Sequence, residues 1–184
     1  LCKDKLPDAV IRVLSSVGIS MPGYVIASGL MILLAVNLKV LPVNYNKPGG
    51  WLMPMLTLAI YPTSYLTRLT RASILEVMNQ DYLRTERAKG MSEFVVVFIH
   101  ALKNSLIPVI TYLGPLTASI LTGGFVAESV FSVPGLGRYF VSSISSRDYT
   151  MIMGVTIFYS ALIVFMNLIC DILYKIVDPR IQLD

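Results

Sequence analysis

Charge is scarce in this 184-residue chain: only 14% of its residues are Asp, Glu, Lys or Arg, and it has one histidine and one tryptophan. Soluble domains carry about 25% charged residues, so a water-surrounded globule is excluded. Two cysteines, Cys2 in a charged segment and Cys170 inside an apolar run, make neither a disulfide framework nor metal-ligand spacing. The lone His100 leaves a metal centre or a Ser/His hydrolase without the partners it needs, and reads as an interfacial histidine near the cytoplasmic surface. No Gly-x-x-x-x-Gly-Lys-Ser/Thr loop occurs, so the chain does not hold ATP in the usual nest of backbone amides. Gly135-Leu136-Gly137 follows an apolar run with no βαβ unit in sight, and reads as a turn. A net charge of +4 does not point to nucleic acid, because the basic residues sit between apolar runs, where cytoplasmic topology explains them. No signal-peptide pattern is visible, and a chain opening on Leu1 with polar Lys3-Asp4-Lys5 behind it reads as a piece of a longer one.

What the chain has in quantity is apolar length: 55% of its residues are hydrophobic. A helix crosses the hydrocarbon core in roughly 20 residues. Four runs of that order fit an all-α membrane bundle with four transmembrane helices: Val13 to Leu38, Trp51 to Ser73, Leu106 to Phe131 and Met151 to Val177. Arg68 and Arg71 fall in the last turns of the second run, where long arginines can snorkel to a headgroup region. Prolines and glycines inside the runs (Gly18, Pro22, Gly23, Pro54, Pro62, Gly114, Pro115) predict kinked, closely packed helices.

With the amino end inside, the cytoplasmic side holds Lys3, Lys5, Arg12, Arg68, Arg71, Arg84, Arg87, Lys89, Lys103, Lys175 and Arg180, which is 11 of the 15 basic residues. That bias sets the orientation, with both ends cytoplasmic and Trp51, Tyr139 and Tyr149 in an outer aromatic belt.

The segment from about 76 to 104 is too polar to enter the membrane as a whole. A short helix fits its middle: Asp81 is placed to cap its start, Leu83 and Arg87 are one turn apart, and Gly90 is placed to end it in a left-handed conformation. Two readings stand. The loop is a solvated turn whose charges keep it in the cytoplasm, or it is a lever that a soluble partner grips. Glu128, near the outer end of the third run, also has two: a group lining a pathway, or a structural partner of the loop holding Arg138. Asp171 and Lys175, one turn apart, pair on the last helix, and Asp178-Pro179 ends it.

The run Asp81-Tyr82-Leu83-Arg84-Thr85-Glu86-Arg87-Ala88-Lys89-Gly90, with His100-Ala101-Leu102-Lys103-Asn104-Ser105-Leu106-Ile107-Pro108 after it, resembles the cytoplasmic-loop signature of the dipeptide, oligopeptide and nickel ABC-transporter permeases. The resemblance continues through Glu128-Ser129-Val130-Phe131-Ser132-Val133-Pro134-Gly135-Leu136-Gly137-Arg138, Arg147-Asp148-Tyr149, Asp171-Ile172-Leu173-Tyr174 and Asp178-Pro179-Arg180-Ile181, and so covers nearly the whole chain. It is most like the first oligopeptide permease subunit. Glu86 departs from the family, where small residues are common, and the gap from Gly90 to Pro108 is longer than in sugar permeases, which favours the peptide and nickel branch.

The resemblance implies the later part of a six-span type I ABC-importer fold, with further spans and an external segment before Leu1. It implies a multi-pass permease of the bacterial cytoplasmic membrane that imports peptides or nickel chelates by alternating access and is not itself an enzyme. Residues 83 to 90 (Leu83, Arg84, Thr85, Glu86, Arg87, Ala88, Lys89, Gly90) would form the coupling helix that docks in a groove of the ATPase, with Leu83 an apolar anchor and Arg84, Arg87 and Lys89 supplying charge. The implied partners are a second homologous permease subunit, two ATPase subunits that bind the ATP and Mg, an extracytoplasmic substrate-binding protein and the lipid bilayer, with no nucleic acid. No cofactor is expected in this chain. A secondary transporter or channel, which works without an ATPase, would carry more buried charges or repeated broken helices, and an intramembrane enzyme would carry a serine, aspartate or metal constellation.

Overall fold

A computed structural model describes residues 6–121 and 124–177, and all regular structure among them is helical. In chain order the α-helices are α1 (Leu6–Ser20), α2 (Gly23–Leu30), α3 (Leu52–Met78), α4 (Asp81–Ala88), α5 (Glu93–Val95), α6 (Leu102–Ser105), α7 (Ile107–Leu121), α8 (Phe125–Val130), α9 (Leu136–Ser146) and α10 (Tyr149–Val177). Two stretches of wider π-helix extend them: Met31–Asn37 continues α2, and Val96–Ala101 joins α5 to α6 into one rod, Glu93–Ser105.

The apolar runs become helices, but not four straight ones. By length and composition only Tyr149–Ile169 of α10, among the described residues, crosses a membrane unaided. Its surface is turned outward, with Ile157 70% and Val164 68% exposed, as a lipid-facing helix requires. The first run bends by 107° between Leu6–Ser20 and Gly23–Asn37. The break falls at Pro22, which has no N–H for the ladder and holds extended geometry (φ −60°, ψ 141°) in front of α2. The third run begins earlier than its sequence reading, since Glu93–Ser105 and Ile107–Thr117 qualify together as one span bent by 40°. It is also broken before its end: α7 is described as far as Leu121, and α8 starts afresh after an extended Gly124. The second run is the unbroken α3, 27 residues or about 40 Å long with Pro62 inside it. It is not apolar enough to qualify alone, because its middle reads Tyr61-Pro62-Thr63-Ser64-Tyr65 and two arginines follow.

α3 is the post on which the bundle is built, packing against α1, α2, α6, α7 and α8, while α10 lies on α7 and α9. Ala27, Met53, Ala127 and Phe131 form one core where α2, α3 and α8 meet. A second core, Leu83, Val96 and Ala101 with Val77 and Met78 packed against it, lies at the end of α3. Arg71 does not reach away from the bundle. It grips Asp8 of α1 through two bonds of 2.7 and 2.8 Å, and Asp8 is only 13% exposed. That bidentate pair ties α1 to α3 where the arginine was expected to snorkel. Ser73 of α3 donates to the carbonyl of Ser105 at 2.8 Å, both buried, and so fixes α6 to the same post. The Asp178-Pro179 stop signal and the side chains of Asp171 and Lys175 lie outside the described residues.

Candidate functional site

The short polar helix α4 forms where the sequence asks for it, with ends that differ in chemistry. Gln80 is extended (φ −71°, ψ 144°) and takes the capping position, so Asp81 is already the first helical residue, and its side chain makes no cap bond. Its carboxylate acts on the exposed amide dipoles of the first turn instead, with Arg84 3.5 Å away. The carboxyl end is closed by Gly90 at φ +81°, a left-handed conformation that glycine adopts without a Cβ penalty. The Gly90 amide donates to the Arg87 carbonyl and the Met91 amide to that of Glu86, the paired bonds of a Schellman stop.

Four contacts clasp α4. Leu83 is fully buried against Val96 and Ala101, which makes it an anchor inside the chain and takes it off the surface available to a partner. Arg87 Nε meets Glu93 Oε1 at 2.7 Å, Tyr82 Oη accepts from Asn104 at 2.8 Å, and His100 Nδ1 lies 3.2 Å from Glu86 Oε1. All of these partners belong to the rod Glu93–Ser105, which Ser73 fastens to α3. α4 is thereby joined to the rod, the rod to α7 across a 40° bend, and both to α3.

What remains outward on α4 and its closing residue is Asp81 and Arg84, with side chains 94% and 73% exposed, together with Thr85, Ala88 and Lys89, while Tyr82 stays at the surface beside Asn104. Arg87 faces Glu93 and Glu86 faces His100, so of the expected docking residues these two are held within the chain. The Glu86–His100 contact is absent from the sequence reading, which found no partner for His100. The other oxygen of Glu86, Oε2, is buried and has no hydrogen-bond donor among the described residues. Substituting His100→Ala removes the contact on Oε1 and is expected to destabilise the joint by about 1 kcal/mol. A Tm drop in detergent, largely recovered in His100→Gln, checks it; an unchanged Tm for His100→Ala would show that the pair contributes nothing.

Glu128 lies away from α4, in the corner between α8 and α9. One carboxylate oxygen accepts the backbone N–H of Arg138 at 3.0 Å, satisfying a free amide in the first turn of α9. The Arg138 guanidinium donates to the Ser132 carbonyl at 3.0 Å. The structural partnership with the Arg138 loop is thus the one the geometry displays. Gly135 caps α9 and Gly137 lies in its first turn, so the Gly-Leu-Gly run is the turn-to-helix junction of this corner.

A family model described as binding-protein-dependent transport system inner membrane component matches residues 3–183. The dipeptide transport system permease protein DppB of Bacillus subtilis (strain 168) is 48% identical over 171 residues, covering 92% of this chain and 56% of the relative. The Lactococcus lactis protein of the same name is 41% identical over 98% of this chain and 60% of the relative. The oligopeptide transport system permease protein OppB of Haemophilus influenzae is 38% identical over 95% of this chain and 58% of the relative. The chain thus spans a little over half the length of these relatives. With its helical fold and the membrane-length apolar helix α10, the chain belongs to the family of inner membrane components of binding-protein-dependent transport systems.

Proposed function

We propose that the chain is part of a permease subunit of an ATP-driven importer that carries dipeptides or oligopeptides across the bacterial cytoplasmic membrane by alternating access. Peptides are favoured over nickel chelates by the names of its relatives, dipeptide and oligopeptide transport system permease proteins. The complex would comprise a second homologous permease subunit, two ATPase subunits holding the ATP and Mg, and a substrate-binding protein outside. The carboxyl end of this chain would face the cytoplasm.

The observation that carries the reading is the clasp on α4. A coupling element has to move as a rigid body, because a loose loop would dissipate a partner's motion before it reached the helices. Leu83, Tyr82, Glu86 and Arg87 bind α4 to the rod, leaving Arg84, Thr85, Ala88 and Lys89 for the ATPase. The test is copurification of the full-length permease with its ATPase from mild detergent, with and without the paired change Arg84→Glu and Lys89→Glu. Both residues are exposed and outside the clasp, so the bundle stays intact while recovery of the ATPase and ATP-driven uptake fall about tenfold, the loss expected from reversing charge complementarity. Undiminished recovery and uptake in the double variant would remove α4 as the docking element. Absence of any ATPase from both forms would leave a secondary transporter as the better account.

A further inference from the structure

α2, α3, α7 and α8 line an open-sided cavity of about 340 Å³. Its walls include Thr57, Tyr61 and Pro62 of α3 and Tyr112, Pro115 and Ser119 of α7, and among the described residues no charged side chain lines it. Resting on the importer function proposed above, we propose that this cavity is a water-accessible subsite of the translocation pathway, taking an uncharged stretch of the transported peptide.

Three features converge there. The first is backbone: prolines inside two continuous helices and the break of a third segment meet at this wall, Pro62 in α3, Pro115 in α7, and Gly23 at the 107° break. Pro62 has no N–H, so the helix offers no i+4 donor to the Leu58 carbonyl, and Leu58 itself lines the cavity. At membrane depth, broken helical ladders are tolerated where they are buried in protein or line a water-filled space. The second is composition: Thr57, Tyr61 and Pro62, three of the residues that keep α3 from being apolar enough to cross lipid alone, line the cavity. The third is chemistry. Tyr112 is held by Tyr65, ring centroids 4.3 Å apart, and Tyr65 stacks with Tyr61 at 6.3 Å, so two aromatic faces with hydroxyl tips stand fixed at the wall. Such a wall offers area to an apolar side chain and hydrogen bonds to an adjoining amide. With no charged group among the described lining residues, it gives a peptide's charged ends no counter-ion.

The experiment uses the full-length permease assembled with its partners in proteoliposomes, with native cysteines replaced by serine and Ser119→Cys introduced. Thr57→Cys on the opposite wall is a second reporter, and Ile157→Cys, on the outward face of α10, is the lipid-side control. A water-soluble methanethiosulfonate should label Ser119→Cys about tenfold faster than Ile157→Cys, because hydrocarbon excludes the reagent. Saturating trialanine should slow that labelling severalfold. Labelling of both cavity reporters no faster than the control, in a preparation that still takes up trialanine, would mean a lipid-filled or protein-filled crevice and overturn the proposal. Fast labelling that trialanine leaves unchanged would overturn it equally, leaving only a vestibule. Absence of ATP-driven peptide uptake by the assembled permease with its native cysteines in place would instead refute the importer function, and this subsite with it.

Discussion

Replacing Leu83 with Asp is expected to free α4 from its rod and abolish ATP-driven uptake while the rest of the bundle stays folded. The leucine is fully buried against Val96 and Ala101, with Val77 and Met78 around it. Emptying such a site costs about 2–5 kcal/mol, and a carboxylate placed there adds the cost of a charge without a partner. Of the polar contacts beside it, the Tyr82–Asn104 bond is exposed and the side chains of Arg87 and Glu93 are 33% and 68% exposed. Pairs so exposed contribute at most about 1 kcal/mol each, so they cannot hold the helix once the apolar anchor is lost. Trypsin reads this directly, because α4 carries Arg84, Arg87 and is followed by Lys89, and cleavage within it requires local unfolding. Leu83→Asp should be nicked there rapidly and Leu83→Met should not. ATP hydrolysis by the partner subunits should persist without transport. Uptake at the parental rate in Leu83→Asp would show that α4 is not the route by which motion enters the bundle.

This outcome differs in cause from what the sequence alone supports. There, Leu83 is an apolar anchor for another protein; in the fold it is spent inside the chain. The helix itself was legible, since Gly90 marks its stop and the polar stretch between apolar runs fixes its extent to within a residue or two. Its partners were not, because they depend on residues 93–105 being a rod, and the apolar stretch Phe94 to Ile99 looks like part of a loop when scanned only for membrane-length runs. The Glu86–His100 contact joins residues fourteen apart on two different elements, a spacing for which no helical or strand periodicity gives a signal. The one hint was Glu86 itself, a carboxylate where the resembling family keeps a small residue, with the only histidine downstream. Pro22 and Gly23 announced a kink, but a bend of 107° is set by how α1 packs on α3, where Arg71 holds Asp8, and local chemistry does not encode that.

Gly135→Ala should disrupt the α8–α9 corner, and Glu128→Ala in the same chain should partly cancel the damage. A Cβ on Gly135 would overlap the Glu128 carboxyl group, and one on Gly137 would come within 2.7 Å of the Phe125 Cα and 3.0 Å of Glu128 Oε2. The carboxylate is therefore cradled between two glycines while it accepts the Arg138 amide. Overfilling so tight a site costs about 1–3 kcal/mol. Removing the acceptor alone frees an amide in the first turn of α9, a loss of about 1 kcal/mol by analogy with helix caps. If the overlap causes the damage, the two changes are strongly non-additive, since Glu128→Ala takes away the carboxyl group that the new methyl would strike. Glu128→Gln, whose amide oxygen still accepts from Arg138, should keep both Tm and peptide uptake close to those of the parent. A Glu128→Gln permease with parental Tm but greatly reduced uptake would instead make the negative charge itself part of the pathway. Charge and hydrogen-bond acceptance, which the alanine variant removes together, are thereby separated.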